Sequence, residues 1–310
     1  MKFGEEKMFI FAKEQKVFKI GKITIGGQPG QHPAPLIGSI FFKSHKIIED
    51  EAKGIFDKNA AETLINTQDE WADKTGVPAM LDVVGDYPEA LIRYIEFVTS
   101  ITDTPLLMDG VSAAVRIPVC QHLKETGIKE RIVYNSIDFY SDATELAAIK
   151  SAGIKQAILL AYGPRSIWPK DKLKLVAGQI EGKNLLTKAQ EAGVDKVLID
   201  TAVLDAPSIG ISARAIYLLK EELGFPVGTA PCNAIYTWSK GKEYQTIKNS
   251  IIATSAMIRT LGADFILYGS VANAPLLFPA MALIEACLAY NNRREFKIQL
   301  GENHPLTKIF

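Results

Sequence analysis

The chain has 310 residues, 47% of them hydrophobic, which is enough to bury a core of barrel size, and no Pro/Gly/Ser-rich linker or composition shift divides it into two units. Lys+Arg and Asp+Glu balance at 35 each, so no global field draws in nucleic acid or an anionic membrane surface. Three cysteines, Cys120, Cys232 and Cys287, without a CxxC pair, argue against a disulfide framework and a thiolate zinc site and fit a reducing cytoplasm.

The opening MKFGEEKMFIFAKEQ carries acidic residues and lacks the apolar core and small-residue cleavage site of a secretion signal, so a cytoplasmic protein is expected. VFKIGKITIGG then alternates as two short strands joined at Gly21, predicting a hairpin that caps one end of the fold within residues 1–34. The following GGQPG, Gly26 to Gly30, leads into prolines instead of a helix and reads as a turn, not a phosphate loop.

Eight strand segments follow: Pro35 to Phe42, Pro78 to Gly85, Pro105 to Gly110, Arg131 to Ile137, Gln156 to Gly163, Lys196 to Val203, Pro226 to Asn233 and Ala263 to Val271. Between them lie amphipathic stretches such as NAAETLINTQDEWADKTG, PEALIRYIEFVTSIT, DATELAAIKSAG, LLTKAQEAGV and SARAIYLLKEELG, several ending in a glycine suited to a left-handed C-cap. Eight alternating units predict an α/β fold, a (β/α)8 TIM barrel of parallel strands with an N-terminal β-hairpin cap; an open doubly wound sheet is the alternative. Phe265 to Tyr290 imitates a membrane span, but Asn273, Pro275, Pro279 and Glu285 interrupt it, so it reads as a strand and then an apolar helix. A helix that apolar needs a covering surface, either the C-terminal tail or a second copy of the chain, which makes a homodimer the expected assembly.

A parallel strand buried on both faces should be apolar throughout, so polar residues at the C-terminal ends point to a ligand at the barrel mouth. Those ends carry Asp82, Asp109, Asn135, Asp200 and Asn233. One such residue is as readily a helix cap; several together are not. Three carboxylates without a basic cluster repel one another and need a metal or a donor-rich ligand. No HxxxH or Cys/His pair accompanies them, so zinc is disfavoured and no metal bound directly by the chain is expected, although the acids leave an oxygen-preferring ion such as magnesium open. A neutral heterocycle rich in N–H groups fits better: the aminopyrimidinone half of a pterin offers adjacent donors to a carboxylate, while an Asn amide supplies a matching donor and acceptor.

The runs KVFKIGKITIGGQPG, LIGSIFFKSHKIIEDEAKGIFDK, MLDVVGDYPEA, YNS, LIDTAV and PVGTAPCNA resemble the H-subunit family of tetrahydromethanopterin S-methyltransferase over most of the chain. That resemblance implies a pterin-binding barrel that passes a methyl group between a corrinoid, as methylcobalamin, and N5 of tetrahydrofolate, the choice made from the soluble bacterial members. By strand position it implies Asp109, Asn135 and Asp200 as pterin-binding residues and Asn233 as the catalytic residue beside N5, with Asp82 lining the mouth or supporting a neighbour. A tetrahydromethanopterin-specific component of a larger complex is the alternative. A dihydropteroate-synthase-like transferase is another, disfavoured because the last two strands lack bases for a pyrophosphate.

The corrinoid-binding pattern DxHxxG is absent, since none of His32, His45, His122 or His304 has an Asp two positions earlier, so the corrinoid is expected from outside, free or on a corrinoid protein docking over the mouth. His45 and Lys46 lie on one loop that such a partner would meet, with a solvated loop the plainer reading. Cys232 reads as a small buried thiol more than a nucleophile, Arg214 as a surface residue more than an anion site, and Trp168 and Trp238 as core or rim packing more than stacking platforms.

Overall fold

The computed structural model describes residues 9–178 and 184–310; the first eight residues, which hold part of the opening read as lacking a secretion signal and part of the N-terminal cap, lie outside the described residues. The chain opens with an antiparallel hairpin, β1 (Val17–Ile20) and β2 (Ile23–Gly26), turning at Gly21 as expected. Next come β3 (Leu36–Ile40), a small ribbon of β4 (Ile48–Asp50) and β5 (Ile55–Phe56) that the sequence did not reveal, and α1 (Lys58–Thr75). Regular alternation then begins with β6 (Ala79–Gly85), α2 (Pro88–Ile101), β7 (Leu106–Gly110), α3 (Ala113–Leu123), β8 (Ile132–Ile137), α4 (Ala143–Ala152) and β9 (Gln156–Leu160). It continues through α5 (Pro169–Ala177), α6 (Leu185–Glu191), β10 (Lys196–Asp200), α7 (Ser208–Leu223) and β11 (Val227–Thr229). The chain finishes with α8 (Pro231–Trp238), α9 (Tyr244–Thr260), β12 (Phe265–Ser270), α10 (Ala274–Glu295) and α11 (Pro305–Lys308).

The strands β3, β6, β7, β8, β9, β10, β11 and β12 pair in parallel in that order, and β12 closes back on β3. This is the (β/α)8 barrel expected from eight alternating units, and it leaves no open sheet edge. Glycines end α1, α4 and α7 at φ of 76°, 74° and 69°, a region that costs glycine little and other residues much. Gly26, Gly27 and Gly30 all have positive φ, in keeping with the turn reading of GGQPG, and the Cα of Gly30 sits so near the Ala289 backbone that a Cβ would meet it at 2.8 Å.

Two apolar layers hold the barrel. Outward-facing strand residues such as Leu81, Met108, Ile132 and Ile266 pack beneath the helices, while Ile37, Met80, Leu107, Val133, Ile158, Leu198 and Phe265 fill the interior. Ile20, Ile23 and Ile25 of the hairpin join the interior set, so the cap plugs the N-terminal end of the barrel with aliphatic side chains. The segment from Val271 to Glu295 is long and apolar enough to cross a membrane by composition, and half of its most apolar window is buried against the barrel, consistent with the strand-then-helix reading.

Candidate active site

Side chains alternate along a strand. The interior residues Ile37, Met80, Leu107, Val133 and Leu198 therefore send Ser39, Asp82, Asp109, Asn135 and Asp200, each two positions on, into the same lumen one step nearer the C-terminal mouth. Ser39 stands opposite Asp82 across β3 and β6, and Asp109 opposite Asn135 across β7 and β8. The barrel thus changes over one side-chain step from an apolar plug to a polar rim. Four of the five residues singled out in the sequence meet there on strands.

The fifth does not sit on a strand. The seventh strand ends at Thr229, not Asn233, because Pro231 lacks a backbone N–H and its fixed φ suits the first position of a helix. Asn233 is the third residue of α8 and is exposed at the rim. Its Oδ1 lies 3.5 Å from the Sγ of Cys232, which also donates to the Leu267 carbonyl at 3.2 Å. Cys232 is buried, and burial with the field of Asp82 pushes its thiol up to about 12, so the small-buried-thiol reading holds.

Asp82 is 3% exposed, and its Oδ2 accepts from the Ser39 hydroxyl at 2.8 Å. Its Oδ1 is buried with no well-formed bond from the protein, while the side chains of Asn135 and Asp109 approach the carboxyl. Burial raises Asp82 to about 6, against the bond from Ser39. Asp109 is raised further still, by burial first and then by the field of Asp82, with Arg116 opposing. Two carboxyls facing one another out of water cannot both ionise, so Asp82 and Asp109 titrate as a pair that keeps a proton at neutral pH.

Asp200 is also raised to about 6 by burial, offset by the Ala202 N–H, which donates to Oδ1 at 2.7 Å, by Thr229 and by the charge of Lys172. The Ala202 backbone adopts φ of 51° where the chain turns back over the carboxylate. Behind the strands, Arg116 of α3 donates to Glu145 of α4 at 2.9 and 2.5 Å, to Tyr134 at 2.9 Å and to the Gly110 carbonyl at 2.7 Å, and the Tyr134 hydroxyl donates to Glu145. This buried network clamps the strand end that carries Asp109.

Sequence reasoning missed Ser39, Thr229, Lys172 and Arg116. Ser39 was findable, since it stands two residues after Ile37 just as Asp82 follows Met80. A cavity of about 610 Å³ opens at the opposite end among Lys22, His32, Asp73, Thr104 and Asn303. None of the five strand-end residues lines it, so the site is assigned to the mouth, where the polar side chains converge.

Around the mouth the loops expose large apolar residues: Phe139 and Tyr140 after β8, Trp168 after β9, Leu204 after β10 and Trp238 on α8. At 61% and 46% exposure, Trp168 and Trp238 belong to the rim and not to the core. Arg214 is exposed beside Tyr217, as expected of a surface residue. The His45 Nδ1 accepts from the Phe41 N–H at 3.2 Å while its ring stacks on Phe42, which fixes it within its own loop.

The structure therefore defines a barrel enzyme whose C-terminal mouth is lined by buried acids and amides. Residues 13–300 match the model of the tetrahydromethanopterin S-methyltransferase MtrH subunit family, and the chain belongs to that family, a family of methyltransferases. It is 36% identical over 311 residues to the H subunit of tetrahydromethanopterin S-methyltransferase from Methanothermobacter marburgensis, covering 97% of this chain and 100% of the relative. The corresponding protein of Methanopyrus kandleri is 36% identical over 317 residues, covering 96% and 98%. Among solved structures, Xanthomonas albilineans dihydropteroate synthase in complex with indole-2-carboxylic acid and 6-chloroguanine superposes with a TM-score of 0.59 at 15% identity, covering 89% of this chain and 99% of that one. A truncated 3-deoxy-D-arabino-heptulosonate 7-phosphate synthase from Thermotoga maritima gives 0.54 at 13% identity, covering 93% and 95%. At such identities these two attest the fold.

Proposed function

We propose that this methyltransferase moves a methyl group between a methylcorrinoid and N5 of a reduced pterin, with tetrahydrofolate as the pterin. The observation that carries the reading is the convergence of Asp82, Asp109, Asn135 and Asp200 on the C-terminal end of the lumen in a chain of this family. Asp200 and the Asp82–Asp109 pair accept ring N–H groups, and the protonated member of the pair also presents an O–H to a ring acceptor. Asn135 matches the ring with one donor and one acceptor. Asn233, above them on α8, turns its amide toward N5, donating to or accepting from it as the charge on nitrogen changes, which favours the transition state over either ground state.

A corrinoid over the mouth would supply or receive the methyl group. The exposed Tyr140, Trp168, Leu204 and Trp238 offer an apolar collar suited to a large macrocycle, free or carried on a corrinoid protein. A homodimer in the cytoplasm completes the reading, supported by the three free thiols and by the unpartnered apolar face of α10.

The names of the relatives favour a second reading, in which tetrahydromethanopterin is the pterin and the chain works as one component of an assembly. Purified protein assayed anaerobically with methylcobalamin and each pterin in turn separates the two. Loss of the methylcobalamin absorbance with tetrahydrofolate is the expected result. Turnover with tetrahydromethanopterin alone selects the second reading, and none with either pterin overturns the independent enzyme.

A further inference from the structure

Lys172 is, with Arg116, one of two buried cations close to this site that the sequence did not reveal. It lies in the first turn of α5 and is 4% exposed. Its Nζ donates to the Ala161 carbonyl at 2.9 Å, and the Ala161 N–H in turn donates to the Asp200 carbonyl at 2.8 Å. Ala161, just past the end of β9, therefore bonds through its carbonyl to the ammonium and through its N–H to the main chain of Asp200. No carboxylate among the described residues forms an ion pair with Lys172, and a cation in the first turn of a helix also opposes the helix dipole. Stability alone does not favour an ammonium in such a place.

We propose that Lys172 is a positioning residue for Asp200: its ammonium, fixed on the Ala161 carbonyl, supplies the positive charge that lets Asp200 meet a bound ring as a carboxylate and not as an acid. The inference rests on the pterin reading of the mouth and adds a division of labour to it. The titratable groups acting with Asp200 are Asp82 on β6, Asp109 on β7, Cys232 on α8 and Lys172 on α5, and of these only Lys172 is a cation. Asp82 and Asp109 keep a proton between them, whereas Asp200 has the Ala202 N–H on one side and the field of Lys172 on the other. The dependence is mutual. Burial lowers Lys172 to about 8, and among the described residues Asp200 is the group whose charge opposes that shift.

The test compares wild type with Lys172→Met, which keeps length without charge, and Lys172→Gln, which also keeps a donor for Ala161. Replacing a buried charge by a side chain of similar volume usually spares the fold, and melting temperatures check this. Binding of tetrahydrofolate and of tetrahydromethanopterin is titrated from pH 5 to 9, and the Asp200 carboxyl carbon is followed by NMR without ligand. In wild type the acid limb of binding is centred near pH 6, where Asp200 takes up its proton. In both variants the limb and the carboxyl titration should move up by about one pH unit, about tenfold in affinity at the foot of the limb. Wild type and variants should converge above pH 8, where Lys172 itself loses its charge. In an Asp200→Asn background Lys172→Met should have no further effect.

A loss of affinity equal at every pH, or a Lys172→Gln variant indistinguishable from wild type, would overturn the proposal. If the carboxyl titration moves but wild type binds neither pterin, the Lys172–Asp200 coupling stands and the pterin reading falls.

Discussion

Asp82 and Asp109 reach the barrel mouth from neighbouring strands, Asp82 two residues above Met80 and Asp109 two above Leu107, and their carboxyls face one another with one buried oxygen of Asp82 lacking a well-formed bond. A fold seeking only stability would put an amide or an apolar side chain there. The first prediction follows from the sign of that cost. Asp82 rises from an ordinary 3.8 to about 6, so between those values the folded state holds the proton more tightly than the unfolded state does. The group's contribution to stability is thus highest at low pH and is lost as pH rises through about 6. Asp82→Asn keeps an acceptor for Ser39 and offers N–H to Asp109, so it should be more stable than wild type at pH 8, by up to about 3 kcal/mol. The advantage should vanish toward pH 4. Paired melting curves across that range check it, and an Asp82→Asn protein less stable than wild type at pH 8 would refute the shared-proton account.

Binding and turnover should separate at the mouth. Asp200→Asn replaces a carboxylate that accepts charge-assisted bonds worth about 1.5–3 kcal/mol each, so pterin affinity should fall roughly 10- to 150-fold. Asp109→Asn should weaken binding in the same sense but less, since its partner Asp82 can take over as the anion. Asn233→Ala, on the helix above the ring, should leave affinity within about threefold while depressing kcat, since the amide acts chiefly as charge moves on N5. Isothermal titration alongside steady-state kinetics resolves the two classes. Unchanged affinity in both Asp variants would remove the binding assignment.

Arg116 holds up the site from behind. It is 7% exposed and satisfies Glu145, Tyr134 and the Gly110 carbonyl, the last directly after Asp109. Arg116→Met would leave Glu145, at 1% exposure, as a buried acid without its cation. Breaking a buried pair from one side typically costs about 3–5 kcal/mol, so a large fall in melting temperature is expected. The double variant Arg116→Met, Glu145→Gln should recover much of that loss. Failure of the second change to restore stability would show that the arginine acts through packing and not through charge.

How much of this was legible in the sequence depends on whether a residue's role is local. The eight strands and the polar ends at Asp82, Asp109, Asn135 and Asp200 are written in short apolar runs that stop at a side chain able to bond, and alternation alone sends them into the lumen. Asn233 was mislocated because TAPCN continues an apolar run, and such a run does not distinguish a strand end from the first turn of a helix; only Pro231 marked the change. Arg116 and Lys172 were illegible for a different reason. Each is a lone base in a helical stretch that reads as solvated, and its burial is decided by distant partners, Glu145 and Tyr134 for one and Ala161 for the other. The ribbon of β4 and β5, three and two residues long, falls below the length at which alternation carries information.

Helix α10 yields the last prediction. From Val271 to Leu288 its single charged residue is Glu285, which is buried and paired with Arg259 at 2.6 Å. The outward face therefore consists of Pro275, Pro279, Leu283, Cys287 and Tyr290, with Leu276, Ala280 and Ile284 half-buried between them. Met257 of the adjoining α9 and Leu261, just past its end, extend the apolar surface. A contiguous apolar face of this kind, with Arg294 over the Tyr290 ring at its end, is self-compatible across a two-fold axis, since the same patch serves both copies. Light scattering should accordingly give twice the 34.0 kDa chain mass for wild type. Leu283→Lys and Tyr290→Glu should each shift the mass toward one chain while leaving the melting temperature of the monomer near that of wild type, because both side chains point to solvent in the isolated chain. A wild-type protein monomeric at tens of micromolar, or one whose mass ignores both charges, would place the dimer elsewhere or nowhere.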